Sequence, residues 1–199
     1  LIPYNIAYCF FKEGDYAQAK KWFGEYLGEK SVKFRKEALL RKADCDFVAK
    51  DYKAASAGYD NVVKDYFDVN DIYPYYQSAL SYGLMNKTDK KISLLSNVMG
   101  ASPTSEFYPE AMFELGRSYA VKEDTYNAYK CFNTLAETVK DSTYVAKAYI
   151  EMGSLARNES MYNEALAYYK IVVEKMPMSE YADDALAAIE SIYQSKNDP

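Results

Sequence analysis

The feature that most constrains this chain is a period. Ala19, Ala55, Lys91, Ala128 and Ala165 are separated by 36, 36, 37 and 37 residues, and four positions after each stands a large apolar residue: Phe23, Tyr59, Leu95, Phe132 and Tyr169. Four residues make about one helical turn, so each small side chain lies on the same helix face as its large neighbour. Twelve positions before each comes a second small residue, at Ala7, Ala43, Ala79, Gly116 and Gly153. Two closely packed helices need this arrangement, because the small side chain lets the backbones approach and the large one fills the space beside it. Glycine inside a helix costs about 1 kcal/mol relative to alanine. Gly116 and Gly153 are therefore expected at contacts that a methyl group would obstruct. Tyr16, Tyr52 and Tyr162 stand three positions before Ala19, Ala55 and Ala165, while Tyr126 stands one place off register.

The pattern reads as an all-α chain of helix pairs, with repeats at approximately 2–31, 34–68, 72–101, 107–140 and 143–177 and a terminal helix over 180–194. Pro3 and Pro74 suit first helical turns, where a missing N–H does no harm. Gly14 with Asp15 marks a turn, Gly28 and Ser31 mark a break before a helix starting near Val32, and Asp51 is placed to cap the partner helix. Ser102-Pro103-Thr104-Ser105 is the clearest interruption, yet four residues make a turn and not an interdomain linker. A single domain over 1–199 is expected, because stacked repeats bury their apolar faces against neighbours and need no central core. Lys91 breaks the small-residue register near Gly83 and Gly100. Either its helices splay or its stem runs outward along a neighbour. In the terminal helix, Tyr181, Ala182, Ala185, Leu186, Ile189 and Ile192 form an apolar stripe that either caps the last pair or begins a truncated sixth repeat.

Chemistry is more sharply bounded by what is missing. The chain has no histidine, which removes histidine metal sites, Ser-His-Asp triads and histidine bases. The acid pairs Asp44 with Asp46, Glu123 with Asp124, and Asp183 with Asp184 are adjacent or two apart, so their members do not face one another, and solvated positions are expected for all three. The glycines are dispersed instead of clustered ahead of a helix, so there is no phosphate loop, and no catalytic residue, cofactor site or metal site is assigned. Cys9, Cys45 and Cys131 are too few and too scattered for a disulfide framework. All three are expected in helix interiors, Cys9 and Cys45 as reduced core thiols. The net charge is −5 overall, with residues 1–50 summing to +3 and residues 151–199 to −5, which argues against nucleic acid as a partner. No apolar run approaches a membrane span, so no direct membrane insertion is expected. The chain opens at Leu1 without an initiating methionine, as expected of a processed protein or an excised fragment.

The stretch Ala111 to Leu135, with Met112, Leu115, Gly116, Tyr119, Ala128, Phe132 and Leu135, resembles the tetratricopeptide repeat (TPR) family, whose usual unit is two antiparallel helices in about 34 residues. Tyr149, Met152, Gly153, Ala156, Tyr162, Ala165, Tyr169, Val172 and Pro177 repeat the pattern. The resemblance implies a right-handed α-α superhelix. The run Lys175-Met176-Pro177-Met178-Ser179-Glu180-Tyr181-Ala182-Asp183-Asp184-Ala185 is similar to a bacterial cell-envelope branch of outer-membrane assembly lipoproteins and periplasmic coordinators. That likeness implies a cell-envelope or periplasmic setting, with cytoplasm left open.

In this family the first helix of each pair lines the concave face, where peptides or partner helices bind. The register carries that face onto Tyr4, Tyr8 and Phe11, then Leu40, Asp44 and Phe47, then Tyr73, Tyr76 and Leu80, then Phe113 and Arg117, then Ile150 and Arg157. The resemblance thus implies a non-catalytic protein-interaction or assembly scaffold with a protein or peptide partner. The face lacks the clustered Lys, Arg and Asn of co-chaperone repeats. Three alternatives stay open: Tyr4, Tyr8 and Phe11 pack against a repeat preceding this chain; the chain is a regulatory or substrate-positioning arm of a larger enzyme; or copies self-associate through open repeat ends around Leu1 to Phe11.

Overall fold

The computed structural model describes residues 1–29 and 33–197, the last two of these by backbone alone. Ser31 and Val32, where a break and a helix start are expected, lie outside the described residues. Among those residues there are helices and turns and no strand. The chain divides into two compact units.

The first unit holds residues 1–101 together with Ser105–Phe107. Its helices are α1 (Ile2–Glu13), α2 (Tyr16–Leu27), α3 (Arg35–Val48), α4 (Tyr52–Asp65), α5 (Ile72–Leu84) and α6 (Thr88–Leu95), the last tightening into a 3-10 turn over Ser96–Gly100. The second, Ser102–Thr104 with everything from Tyr108 onward, holds α7 (Tyr108–Val121), α8 (Thr125–Thr138), α9 (Ser142–Asn158), α10 (Tyr162–Lys175) and α11 (Ala182–Asn197). Within each unit every helix packs on the next, and α1 also meets α3 as α7 meets α9. The result is a succession of antiparallel pairs. No helix among the described residues is long and apolar enough to cross a membrane.

One turn joins the two helices of each pair, and it recurs five times. Gly14, Lys50, Asn86, Glu123 and Ser160 all have φ between 59° and 83°. In each pair the N–H after this left-handed residue reaches back across the helix end: Asp15 to the Phe10 carbonyl at 2.9 Å, Asp51 to Asp46 at 3.0 Å, Lys87 to Tyr82 at 2.9 Å, Asp124 to Tyr119 at 3.0 Å and Met161 to Ala156 at 2.8 Å. This closes the helix by the Schellman geometry and satisfies carbonyls that would otherwise be orphaned. Three of the second helices then begin with a capping aspartate: Asp15 accepts from the Gln18 N–H, Asp51 from Ala54 and Asp124 from Asn127. The reversal therefore takes two residues in the first pair and three in the other four.

The register of small and large residues is the core. Phe23, Tyr59, Leu95, Phe132 and Tyr169 are all 2% exposed or less. A Cβ built on Gly116 would stand 2.6 Å from Cε1 of Phe132, and one on Gly153 would stand 2.6 Å from Cε1 of Tyr169. In the second pair the close approach is supplied from the other side, where a Cβ on Gly58 would meet that of Ala43 at 2.8 Å. Around Lys91 the helices do not splay: its stem lies over Gly83, whose Cβ would be 3.1 Å from the lysine Cδ. The missing side chain of one helix makes room for the long one of the next.

Three expectations need correction. Asp44 and Asp46 are buried, at 7% and 4% exposure, and not solvated, because each carboxylate has cationic or hydroxyl partners inside the first unit. Cys9 is exposed while Cys45 and Cys131 are buried. Cys45 joins a cluster with Ala7, Ala19 and Phe23 of the preceding pair, whereas α1 has no preceding pair among the described residues. Leu186 is 50% exposed, outside the stripe through which Ala182, Ala185 and Ile192 of α11 are buried.

Candidate functional site

The face formed by α1, α3 and α5 in the first unit is centred on Arg41. Its guanidinium lies over the rings of Phe11 and Tyr73, 5.7 Å from each centroid. Nε donates to Glu37 Oε1 at 2.7 Å and a terminal nitrogen donates to Asp44 Oδ2 at 2.6 Å. The other Asp44 oxygen accepts from the hydroxyls of Tyr59 at 2.6 Å and Tyr73 at 2.7 Å. One carboxylate thus ties together α3, α4 and α5. Charge-assisted bonds of this kind are roughly twice as strong as neutral ones, and they satisfy a group that would be costly to bury alone.

Titration follows the same geometry. Burial, then the adjacent Asp44 charge, pushes both tyrosines up. Burial opposes the Arg41 charge, but the bonds to Glu37 and Asp44 more than offset it and hold the guanidinium charged. Next to this network Cys45 is pushed up to about 12, by burial first and then by Asp44 and Asp46. Asp46 itself pairs with Lys20 of α2.

Above this floor opens a cavity of about 530 Å³. Leu40, Arg41 and Tyr73 line it together with Phe34 and Phe107, and its rim carries Lys33, Lys36, Glu37, Asp71 and Glu106. Lys36 is held by Asp71 at 2.6 Å. Phe34 stacks on Tyr4 with centroids 5.1 Å apart, and Phe107 stacks on Tyr76 at 6.1 Å and leans on Tyr73 at 5.1 Å. Phe107 adopts this position with φ of 63°, a conformation that is uncommon for any residue but glycine and an outlier for a bulky one.

Of the residues carried over by register, Tyr4, Tyr8, Phe11, Tyr73 and Tyr76 are partly exposed in the first unit. Leu40, at 6%, is buried, and Asp44 serves the network beneath the surface. Phe47 instead meets Tyr52 near the turn, with centroids 5.5 Å apart, and Leu80 is partly buried. In the second unit Phe113 lies against Phe132 and Tyr144. Arg117 stands 3.7 Å from both Glu114 and Glu151. Burial raises the Glu151 carboxyl, against the pull of Arg117. Ile150 packs on the α10–α11 cluster, and Arg157 donates to Ser191 Oγ at 3.1 Å, away from Phe113.

Register alone overlooked Glu37, Arg41, Phe34 and Phe107. The two phenylalanines had a signal: Phe107, Tyr144 and Tyr181 are 37 residues apart, and Phe34 stands 73 before Phe107. Each occupies the linker just before a first helix or that helix's opening turn. The ring of Phe34, Phe107 or Tyr144 lies on the pair before it.

Solved structures share the succession of helix pairs. A tetratricopeptide repeat protein from Parabacteroides merdae ATCC 43184 superposes with a TM-score of 0.74 at 15% identity, covering 99% of this chain and 79% of that one. The chain has the tetratricopeptide-repeat fold. YrrB, described as a TPR protein with an unusual peptide-binding site, matches with a TM-score of 0.70 at 16% identity over 95% of this chain and 89% of its own. PilW, a type IV pilus biogenesis factor, matches with a TM-score of 0.62 at 15% identity over 97% and 88%. No family model and no curated protein matches the sequence.

Proposed function

We propose that the chain is a non-catalytic protein-interaction scaffold whose first unit receives an extended or helical peptide across α1, α3 and α5. The observation that carries this reading is the open cavity of about 530 Å³ bordered by Phe34, Tyr73 and Phe107 over a floor whose charges are already partnered. Rings bury large areas with little side-chain entropy to lose, and a floor whose charges are already paired costs less to cover than one of free charges. Arg41 is committed to Glu37 and Asp44, so it shapes the floor and the rings supply the contact. YrrB, with its peptide-binding site, supports the class of partner. A cell-envelope setting is supported by PilW and by the run from Lys175 to Ala185.

The test is selection of peptides from a random library on the whole chain, followed by affinity measurement against Phe34→Ala and Tyr76→Ala, with Tyr126→Ala, an exposed ring of the other unit, as a control. Tyr73 is spared, since its hydroxyl belongs to the Asp44 network. Affinity should fall about tenfold or more for the first two, as expected when central aromatic anchors are truncated, and hold for the third. Peptides indifferent to Phe34 and Tyr76 would remove this face from the reading.

A further inference from the structure

Lys147 of α9 is held by rings. Its ammonium lies 4.8 Å from the centroid of Tyr144 and 5.7 Å from those of Phe113 and Tyr181. The rings come from three places in the second unit: α7, the first turn of α9 and the residue just before α11. Phe113 and Tyr144 meet at 70° with centroids 6.5 Å apart, so together they form a corner and not a flat stack. Among the described residues no ion pair holds Lys147, and all four side chains are partly exposed. A cation within about 6 Å of several ring faces is attracted by each ring's quadrupole, and aromatic cages of this design recognise alkylammonium groups.

We propose that Phe113, Tyr144 and Tyr181 form a receptor for a lysine side chain presented by a basic peptide, and that Lys147 occupies it as an internal stand-in until displaced. The occupant's chemistry is read from the group already seated there, a primary ammonium on a four-carbon stem. Charge points the same way: residues 151–199 sum to −5, which draws a basic partner towards this end at long range. Lys147 lies only three residues from Tyr144 and competes from high local concentration. The cage is therefore weak towards outside ligands until its own lysine yields. It belongs to the second unit, so it stands or falls separately from the groove of the first.

The experiment uses the full chain and a minimal probe, a lysine capped at both backbone ends with its side-chain ammonium free, beside the same molecule built on norleucine. Binding is followed by NMR through the ring resonances of Tyr144 and Tyr181. Lys147→Ala substitutes a strong helix former at a partly exposed site, which keeps the fold. It should bind the lysine probe about tenfold more tightly than the native chain, and the norleucine probe should not compete. Adding Tyr181→Leu, which keeps apolar bulk and removes the ring, should return affinity to the native level. Equal binding by native chain and Lys147→Ala, absence of binding to Lys147→Ala, equal binding of norleucine, or indifference to Tyr181→Leu would each overturn the assignment.

Discussion

Gly116→Ala sets two effects of opposite sign against each other. Alanine favours the helix by about 1 kcal/mol over glycine, so at an exposed site the change would stabilise. At this site the new Cβ would stand 2.6, 2.8 and 3.0 Å from three atoms of the Phe132 ring, where ordinary carbon contacts lie near 3.5–4.0 Å. The ring is 0% exposed and backed by Phe113 at 5.8 Å, so it has nowhere to withdraw without moving α8. Overpacking of this kind costs about 1–3 kcal/mol, and a contact this short in so closed a site belongs at the upper end. A net loss of about 2 kcal/mol is expected. Urea unfolding followed by far-UV circular dichroism should show a lower midpoint for the transition that includes the second unit. Fluorescence of Trp22, the chain's one tryptophan, reports the first. The paired change Gly116→Ala with Phe132→Leu separates clash from any other cause: the double variant should be more stable than the sum of the single changes implies, by about 1 kcal/mol or more. A neutral or stabilising Gly116→Ala would show that the ring yields, and the explanation of why glycine stands there would fail.

Two further outcomes follow from the turns and from the buried carboxylate. Glu123→Gly and Lys50→Gly relieve a left-handed backbone at exposed positions and should each stabilise by about 0.5–1 kcal/mol, with Gly14→Ala moving the other way; thermal denaturation showing a loss for Glu123→Gly would contradict the turn assignment. Asp44→Asn removes the charge that Arg41, Tyr59 and Tyr73 share, at a site only 7% exposed, and should cost about 2–3 kcal/mol. Glu37→Gln, whose side chain is 33% exposed, should cost under about 1 kcal/mol, and equal losses in urea unfolding would show that Asp44 is not the keystone of the network.

The helix pairs were legible because their packing is written locally. An alanine every 36 or 37 residues, replaced only at Lys91, with a large apolar residue one turn on is a local signature, and the buried ladder from Phe23 to Tyr169 follows it. Gly116 and Gly153 were legible for the same reason, since glycine in a helix needs a cause and the opposing ring supplies it. Asp44 and Asp46 were not. Read by type they are solvated acids, and their partners lie at distances no local pattern marks: Tyr59 is 15 residues away, Tyr73 is 29, and Lys20 sits in the preceding pair. Cys9 misled through position, because its repeat-mate Cys45 is covered by a preceding pair and Cys9 has no such cover among the described residues. In the candidate site, the tyrosines of α1 and α5 were reached through register. Phe34 and Phe107 escaped because they stand in linkers, where the helical period gives no reason to look.

The rings at the entrances of the pairs also shift where one building block ends. Phe34 stands at the threshold of α3 yet lies on Tyr4 of α1, and Tyr144 opens α9 yet lies on Phe113 of α7. The first or fourth hairpin cut at its helix ends would lose its lid. Transplanting one hairpin into a different array should succeed only with the following linker attached, cut one residue beyond its aromatic. The heritable brick is thus offset from the visible one by the width of a loop.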